Sequence, residues 1–283
     1  MSVNIDQPLP NIRMRMPSLT KTEQSIVESF LQPHFLHKNT SIKEVAERLR
    51  VSPALLVKVS KKLGYSGFKQ LKDALTAQLE SADFIPSEQL LPDDSCEEII
   101  SKVLHNSINA LTEILDFIDA QALSAAADAI LNAKCIEFYA AGASSIVCED
   151  FQQKLLRIGI KASVPMERHL MLMSASLLSE HDVVLVVSHS GQTADLMDSV
   201  RLAKQSGAKI ISITNNYNAE LSLLSDIPLY APSSPEPVMG KNGTARLVKL
   251  AMIDCLYATI VNKMPELAEK NLNTTHKALG LRE

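Results

Sequence analysis

Hydrophobic positions in the first 80 residues recur at helical spacing. Thr20-Lys21-Thr22-Glu23 pairs a Thr N-cap with a Glu three residues on, and Ile26, Val27, Phe30 and Leu31 follow on one face. Ser41-Ile42-Lys43-Glu44 repeats that opening. Behind it Ile42, Val45, Ala46 and Leu49 predict a short second helix. Arg50-Val51-Ser52 breaks the pattern. Ser52 then suits an N-cap, Pro53 suits the first helical position, and Leu56, Val59 and Leu63 form the inner face of a third helix ended by Gly64. Ser66 opens a fourth, with Phe68, Leu71, Leu75 and Leu79 inward. The first 18 residues carry three prolines and read as an irregular arm.

Residues 81–95 (SADFIPSEQLLPDDS) have no period and read as a linker. Beyond it the pattern alternates. Helical segments at 96–117 and 120–132 precede five short apolar runs, at 135–141, 161–164, 182–187, 209–214 and 227–230, each followed by a helical segment. Alternating strands and helices predict a parallel five-stranded sheet flanked by helices on both faces. VVLVV (183–187) has no polar alternation, as a strand buried on both sides requires. Pro228 pushes the last strand to an edge. A helix pair at 244–262 and 266–278 closes the chain. The expected organisation is an all-α domain at 1–80, a linker at 81–95 and an α/β domain at 96–283.

Composition changes the picture only locally. The 283 residues are 46% hydrophobic and 21% charged, which fits a globular protein with a real core. No apolar run is long enough to cross a bilayer, and the N-terminus lacks the apolar stretch of a signal peptide, so a cytoplasmic location with no membrane partner is expected. Of the four cysteines, Cys135, Cys148 and Cys255 are expected in the core and Cys96 beside the linker. None has metal-ligand spacing, so neither metal nor cofactor is expected. Net charge is −4, yet residues 38–72 carry +7. That asymmetry points to nucleic acid.

Two short helices joined by a tight turn make a helix-turn-helix. Ala46 is small where the helices cross, and Val51 plugs the turn into the core. The second helix offers Ser52, Leu55, Lys58, Lys61 and Lys62 to a major groove and its phosphates. Arg50 stands where such a turn usually holds Gly. A plain helical bundle used for docking would share the pattern without the charge.

The other candidate chemistry lies at predicted strand ends. Ser188-His189-Ser190-Gly191-Gln192-Thr193 directly follows VVLVV and directly precedes a helix. Ligands of parallel sheets sit at the carboxyl ends of strands, and helix N-termini bind anions. Ser188, Ser190 and Thr193 add hydroxyls, and Gly191 lets the backbone approach closely. That set suits a phosphate monoester. Ser144 and Ser145, after the run 135–141, would face the same edge and meet sugar hydroxyls. Either turn alone is also what a capped helix looks like. His169 is a further candidate, equally readable as a solvent-facing histidine. Lys241 and Arg246 are cations that could close over an anion.

These segments together resemble the RpiR family of regulators, a helix-turn-helix joined to a SIS (sugar isomerase) domain. The resemblance is carried by VKVSKKLGYSGFKQLKDAL (57–75), AAGASSIVCEDFQQKLLRIG (140–159), VVLVVSHSGQTADL (183–196) and GKNGTARL (240–247). It covers nearly the whole chain. It implies a double-stranded DNA operator, a homodimer or homotetramer, and a phosphorylated pentose, hexose or N-acetylated amino sugar as effector. It implies effector-binding positions at Ser144, Ser145, His169, Ser188, Ser190, Thr193 and Arg246. It also implies a transcriptional regulator of sugar catabolism genes; the residues leave the direction of control open, and repression is the one expected. Leu55-Leu56-Val57-Lys58-Val59 departs from the Thr-Val-x-Arg-Phe stretch of many relatives. Two rivals follow from the same features. SIS domains also serve aldose–ketose isomerases, for which Glu149, Glu167 and His169 are candidate bases. A scaffold that binds metabolite and a partner protein is the other.

Overall fold

Side-chain caps start three of the helices in the first half. In the computed structural model, which describes residues 8–32, 35–79, 90–115, 117–232 and 243–280, Thr20 and Glu23 form the complete capping box at the start of α2 (Lys21–Phe30). Ser41 caps α3 (Ile42–Leu49) through the Glu44 N–H. The Glu44 carboxylate is drawn instead to Arg48, at 2.5 Å, one turn on. Ser52 caps α4 (Pro53–Lys62), with Pro53 in its first turn. Ile26, Val27, Phe30, Val45, Leu56, Val59 and Leu63 join Leu71 and Leu75 of α5 (Phe68–Leu79) in one core.

From Pro8 on, the proline-bearing arm is helical rather than irregular chain. α1 spans Pro8–Arg15 and buries Leu9 and Ile12 in that same core. Pro8 and Pro10 lie in its first turn, where a missing N–H costs no intrahelical bond. Contacts divide the chain into two compact units, Met1–Glu113 and Ile114–Glu283. The division falls near the end of α6 (Cys96–Leu115), whose Glu113 is ion-paired with Arg13.

The second unit is a parallel sheet in the order β1 (Ile136–Ala140), β2 (Val183–Val187), β3 (Lys209–Thr214), β4 (Ile227–Tyr230). All of β1 and β2 is buried, because helices cover both faces. Tyr139, Val184, Val186 and Ile210 pack with α9 (Arg168–Ala175) and α10 (Ala194–Gln205). On the other side Phe138 stacks on Phe151 of α8 (Ser145–Arg157), at 5.2 Å between ring centroids. There α12 (Gly243–Lys263) packs on α8 and on α7 (Ala120–Asn132). A short α11 (Glu220–Leu224) precedes β4, and α13 (Pro265–Ala278) ends the fold. Pro228 lies in the edge strand β4, as expected.

The sheet has four strands, not five. The run 161–164 makes a single parallel bridge, Ser163 opposite Glu137. Ser163 N–H donates to the Ile136 carbonyl and its own carbonyl accepts from Phe138 N–H. The next bond of a parallel ladder would need an N–H on residue 165, and Pro165 has none. The buried Glu137 carboxylate holds the segment instead, accepting from Ser163 Oγ at 3.1 Å, from Tyr139 at 2.7 Å and from Ser174. A second correction concerns the cysteines. Only Cys148 is buried; Cys135 precedes β1 and Cys255 lies on the outer side of α12, both exposed. No helix among the described residues is long and apolar enough to cross a membrane.

Candidate functional site

The register of β1 and β2 sets two serine turns side by side. Ala140 pairs with Val187, so the chain leaves both strands at the same level of the sheet's carboxyl edge. After β1, Gly142 adopts φ +59° and opens a single 3-10 turn. Ser145 Oγ donates to the Gly142 carbonyl at 2.6 Å, and Ser144 precedes α8 without capping it.

After β2, Ser188 is buried and its Oγ accepts the Gly191 N–H at 3.1 Å. Ser190 Oγ accepts the Gln192 N–H at 3.3 Å. Gly191 sits at φ +64°. The His189 carbonyl accepts from Thr214 Oγ1 at 3.2 Å and from Asn215 N–H at 3.1 Å, and the Gly191 carbonyl accepts from Leu221 N–H. The turn is therefore clamped by the end of β3 and the start of α11. Thr193 is the N-cap of α10 but its hydroxyl makes no cap bond. The first N–H groups of α10 thus point outward without a side-chain acceptor, beside a hydroxyl able to share an anion with them.

The structure brings Ser144, Ser145, Ser188, Ser190, Gly191 and Thr193 to one edge. His169 is exposed in the first turn of α9. Its neighbour Arg168 pairs with Asp195 at 3.1 Å and Asp198 at 2.9 Å, which draws the start of α9 to the start of α10. Arg246 is exposed on α12, turned away from the buried face of Ala245, Val248, Lys249 and Met252. Lys241 lies outside the described residues.

Two groups escaped the sequence reading. Lys249 is 3% exposed. Burial pushes its ammonium down to about 8, slightly offset by Cys148. His189 Nδ1 is buried without a hydrogen-bond partner. Burial, reinforced by the charge of Lys249, pushes its imidazole down to about 4. Cys148, fully buried on α8, is pushed up to about 12 by burial and so stays a thiol. The signal was present for Lys249. It stands alone among Ala245, Val248, Met252, Ile253 and Leu256, at the inward positions of its helix.

In the first unit, Lys58 and Lys61 are exposed on α4 and, among the described residues, make no ion pair or hydrogen bond. Lys62 differs. Its ammonium reaches both oxygens of the buried Glu23 at 2.7 Å, and that carboxyl is held below its ordinary range by Lys62 and then by the Thr20 N–H. Lys62 ties α4 to α2. Ser52 Oγ is occupied by the Leu55 N–H, and Leu55 packs partly on the core. Arg50 ends α3 in the left-handed region at φ 54°, ψ 43°.

A basic helix-turn-helix unit followed by a parallel α/β unit with hydroxyl-rich turns at its strand ends is the layout of a DNA-binding regulator. Residues 6–82 match the helix-turn-helix domain of the rpiR family, and residues 129–259 match the SIS domain. The chain is 37% identical to the HTH-type transcriptional regulator RpiR of Escherichia coli K12 across 94% of its own length and 90% of the relative's. It belongs to the RpiR family of transcriptional regulators. It is 28% identical to the regulator HexR of Pseudomonas aeruginosa, across 88% of this chain and 87% of that one. Among solved structures, the Vibrio vulnificus NanR protein complexed with ManNAc-6P is 25% identical. It superimposes with a TM-score of 0.61, covering 95% of this chain and 97% of that one.

Proposed function

We propose that this regulator represses sugar catabolism genes and is controlled by a phosphorylated sugar bound at the carboxyl edge of its sheet. The observation that carries the reading is the level pairing of the two serine turns. The phosphate sits on the Ser188–Thr193 turn and the uncapped start of α10. The sugar reaches Ser144, Ser145 and His169, and Arg246 lies at the outer rim. NanR, complexed with ManNAc-6P, supports an effector of this class. Pentose, hexose and N-acetylated amino-sugar phosphates all offer the required oxygens. The DNA-binding domain is residues 1–80, the linker 81–95 and the sensing domain 96–283. Two copies read a palindromic operator in the cytoplasm, and effector binding changes the pose of the paired recognition helices. An effector does this only through unequal affinity for the two states.

The curated relatives are named regulators, and this chain is a regulator rather than an isomerase. A thermal-shift panel tests the sensor. One sugar phosphate is expected to raise the melting temperature while its unphosphorylated parent does not, since a ligand of the native state stabilises by mass action. No shift with any phosphate would sink the pocket.

On DNA, Lys58 and Lys61 supply phosphate contacts together with Arg50, exposed in the turn. A non-Gly residue in the left-handed region costs roughly 1–2 kcal/mol. Arg50→Gly is therefore expected to stabilise the first unit by about 1 kcal/mol in urea titrations while reducing the salt slope of operator binding by about 1. Stability gained with the slope unchanged would remove Arg50 from the interface.

A further inference from the structure

Lys249 is a buried cation with no counter-charge. Among the described residues it makes no hydrogen bond and no ion pair. The groups around it cannot neutralise it. On α8, Cys148 remains a thiol, and Glu149 is half-buried without reaching ion-pair distance of Lys249. The buried face of α7 is apolar: Ala122, Leu123, Ala126, Ala127 and Ile130. At the end of β2 stands His189, itself carrying a buried Nδ1 without a partner. Leaving an ammonium unpaired in an interior costs several kcal/mol. A methionine or leucine would fill the same inward position of α12 without that cost. His189, in the turn that carries Ser188 and Ser190, lies near enough to feel the charge of Lys249, so an orphaned ring nitrogen and an unpaired ammonium are neighbours there.

We propose that Lys249 is the buried counter-cation of the effector, taking an acidic group of the ligand while His189 Nδ1 meets one of its hydroxyls. The inference rests on the sugar-phosphate reading of the pocket and deepens it. It moves the charge recognition from the exposed Arg246 to a residue inside the fold. It also explains how the chain tolerates the lysine, because the ligand supplies the missing anion.

The test measures unfolding and ligand affinity on the same variants. The full chain is titrated calorimetrically with ribose 5-phosphate, glucose 6-phosphate and N-acetylmannosamine 6-phosphate. Lys249→Met, of similar length and uncharged, is expected to melt a few degrees higher than wild type without ligand, roughly 2–4 °C per unit of relieved penalty. The same variant is expected to lose at least ~30-fold in affinity for the phosphate that wild type prefers. These opposite signs separate a ligand-binding lysine from a structural one, whose removal lowers both. Lys249→Gln, polar but uncharged, is the second variant should the first fail to fold, and the same affinity loss is expected. A folded Lys249 variant with wild-type affinity overturns the inference alone. Wild-type protein that takes up none of the three phosphates overturns the pocket reading and this inference with it.

Discussion

Gly191→Ala is expected to destabilise the second unit by about 2–5 kcal/mol and to abolish the response to sugar phosphate. Two costs combine. Gly191 holds φ +64°, where a side chain costs roughly 1–2 kcal/mol. A Cβ there would also lie 2.6 Å from Ala219 Cβ, 3.1 Å from Thr214 Oγ1 and 3.3 Å from Leu221 Cβ. Those neighbours belong to the end of β3 and the α11 segment that clamp the turn, and overpacking of this kind costs ~1–3 kcal/mol. Relief requires the turn to move outward. Doing so breaks the Gly191 N–H to Ser188 Oγ bond and the Leu221 N–H to Gly191 carbonyl bond. The hydroxyls would then lose the arrangement proposed to receive the phosphate. Gly142→Ala provides the control. Gly142 also has positive φ, +59°, but nothing stands within 4 Å of its Cβ position. Only the backbone cost of roughly 1 kcal/mol should appear there. Urea unfolding of both variants decides the matter. Equal losses would mean that the wall behind Gly191 yields, and that close packing does not fix the turn.

Most of what builds this site is local, which is why so much of it was legible in the sequence. Caps act within three or four residues, so Thr20, Ser41 and Ser52 mark their helices. A strand buried on both faces writes itself as VVLVV, and the hydroxyls that follow must then lie at its carboxyl end. What stayed hidden depends on partners distant in the chain. Lys62 reads as one more cation on a basic helix until Glu23, 39 residues earlier, is seen beneath it. The proline-bearing arm reads as irregular until the core that receives Leu9 and Ile12 exists. The run 161–164 has strand composition, but its ladder stops because Pro165 falls where the next donor belongs. Lys249 shows in the pattern of α12 as a lysine at an inward position, but that it lacks a counter-charge, and that His189 is buried near it, emerges only from the packed fold. Local pattern selects elements; the electrostatic character of the site comes from their assembly.

His189 gives that assembly an acid limit. Its imidazole is pushed from 6.5 to about 4, first by burial and then by the nearby charge of Lys249. Between those two values the unfolded chain binds a proton at His189 that the native chain refuses. Stability from this group is therefore complete above pH 6.5 and declines as pH falls towards 4. The full interval amounts to roughly 3 kcal/mol. About half should be visible between pH 6.5 and 5, above the range in which ordinary carboxylates take up protons. At neutral pH the same burial keeps the imidazole uncharged, which suits the hydrogen-bonding role proposed for it beside Lys249. The measurement is urea unfolding of the second unit's transition at pH 7, 6 and 5, in wild type and in His189→Asn, which cannot titrate. Wild type should lose ~2 kcal/mol across the series, and the variant should stay nearly flat. A parallel decline in both proteins would assign the acid sensitivity elsewhere and leave His189 accessible to protons in the folded state.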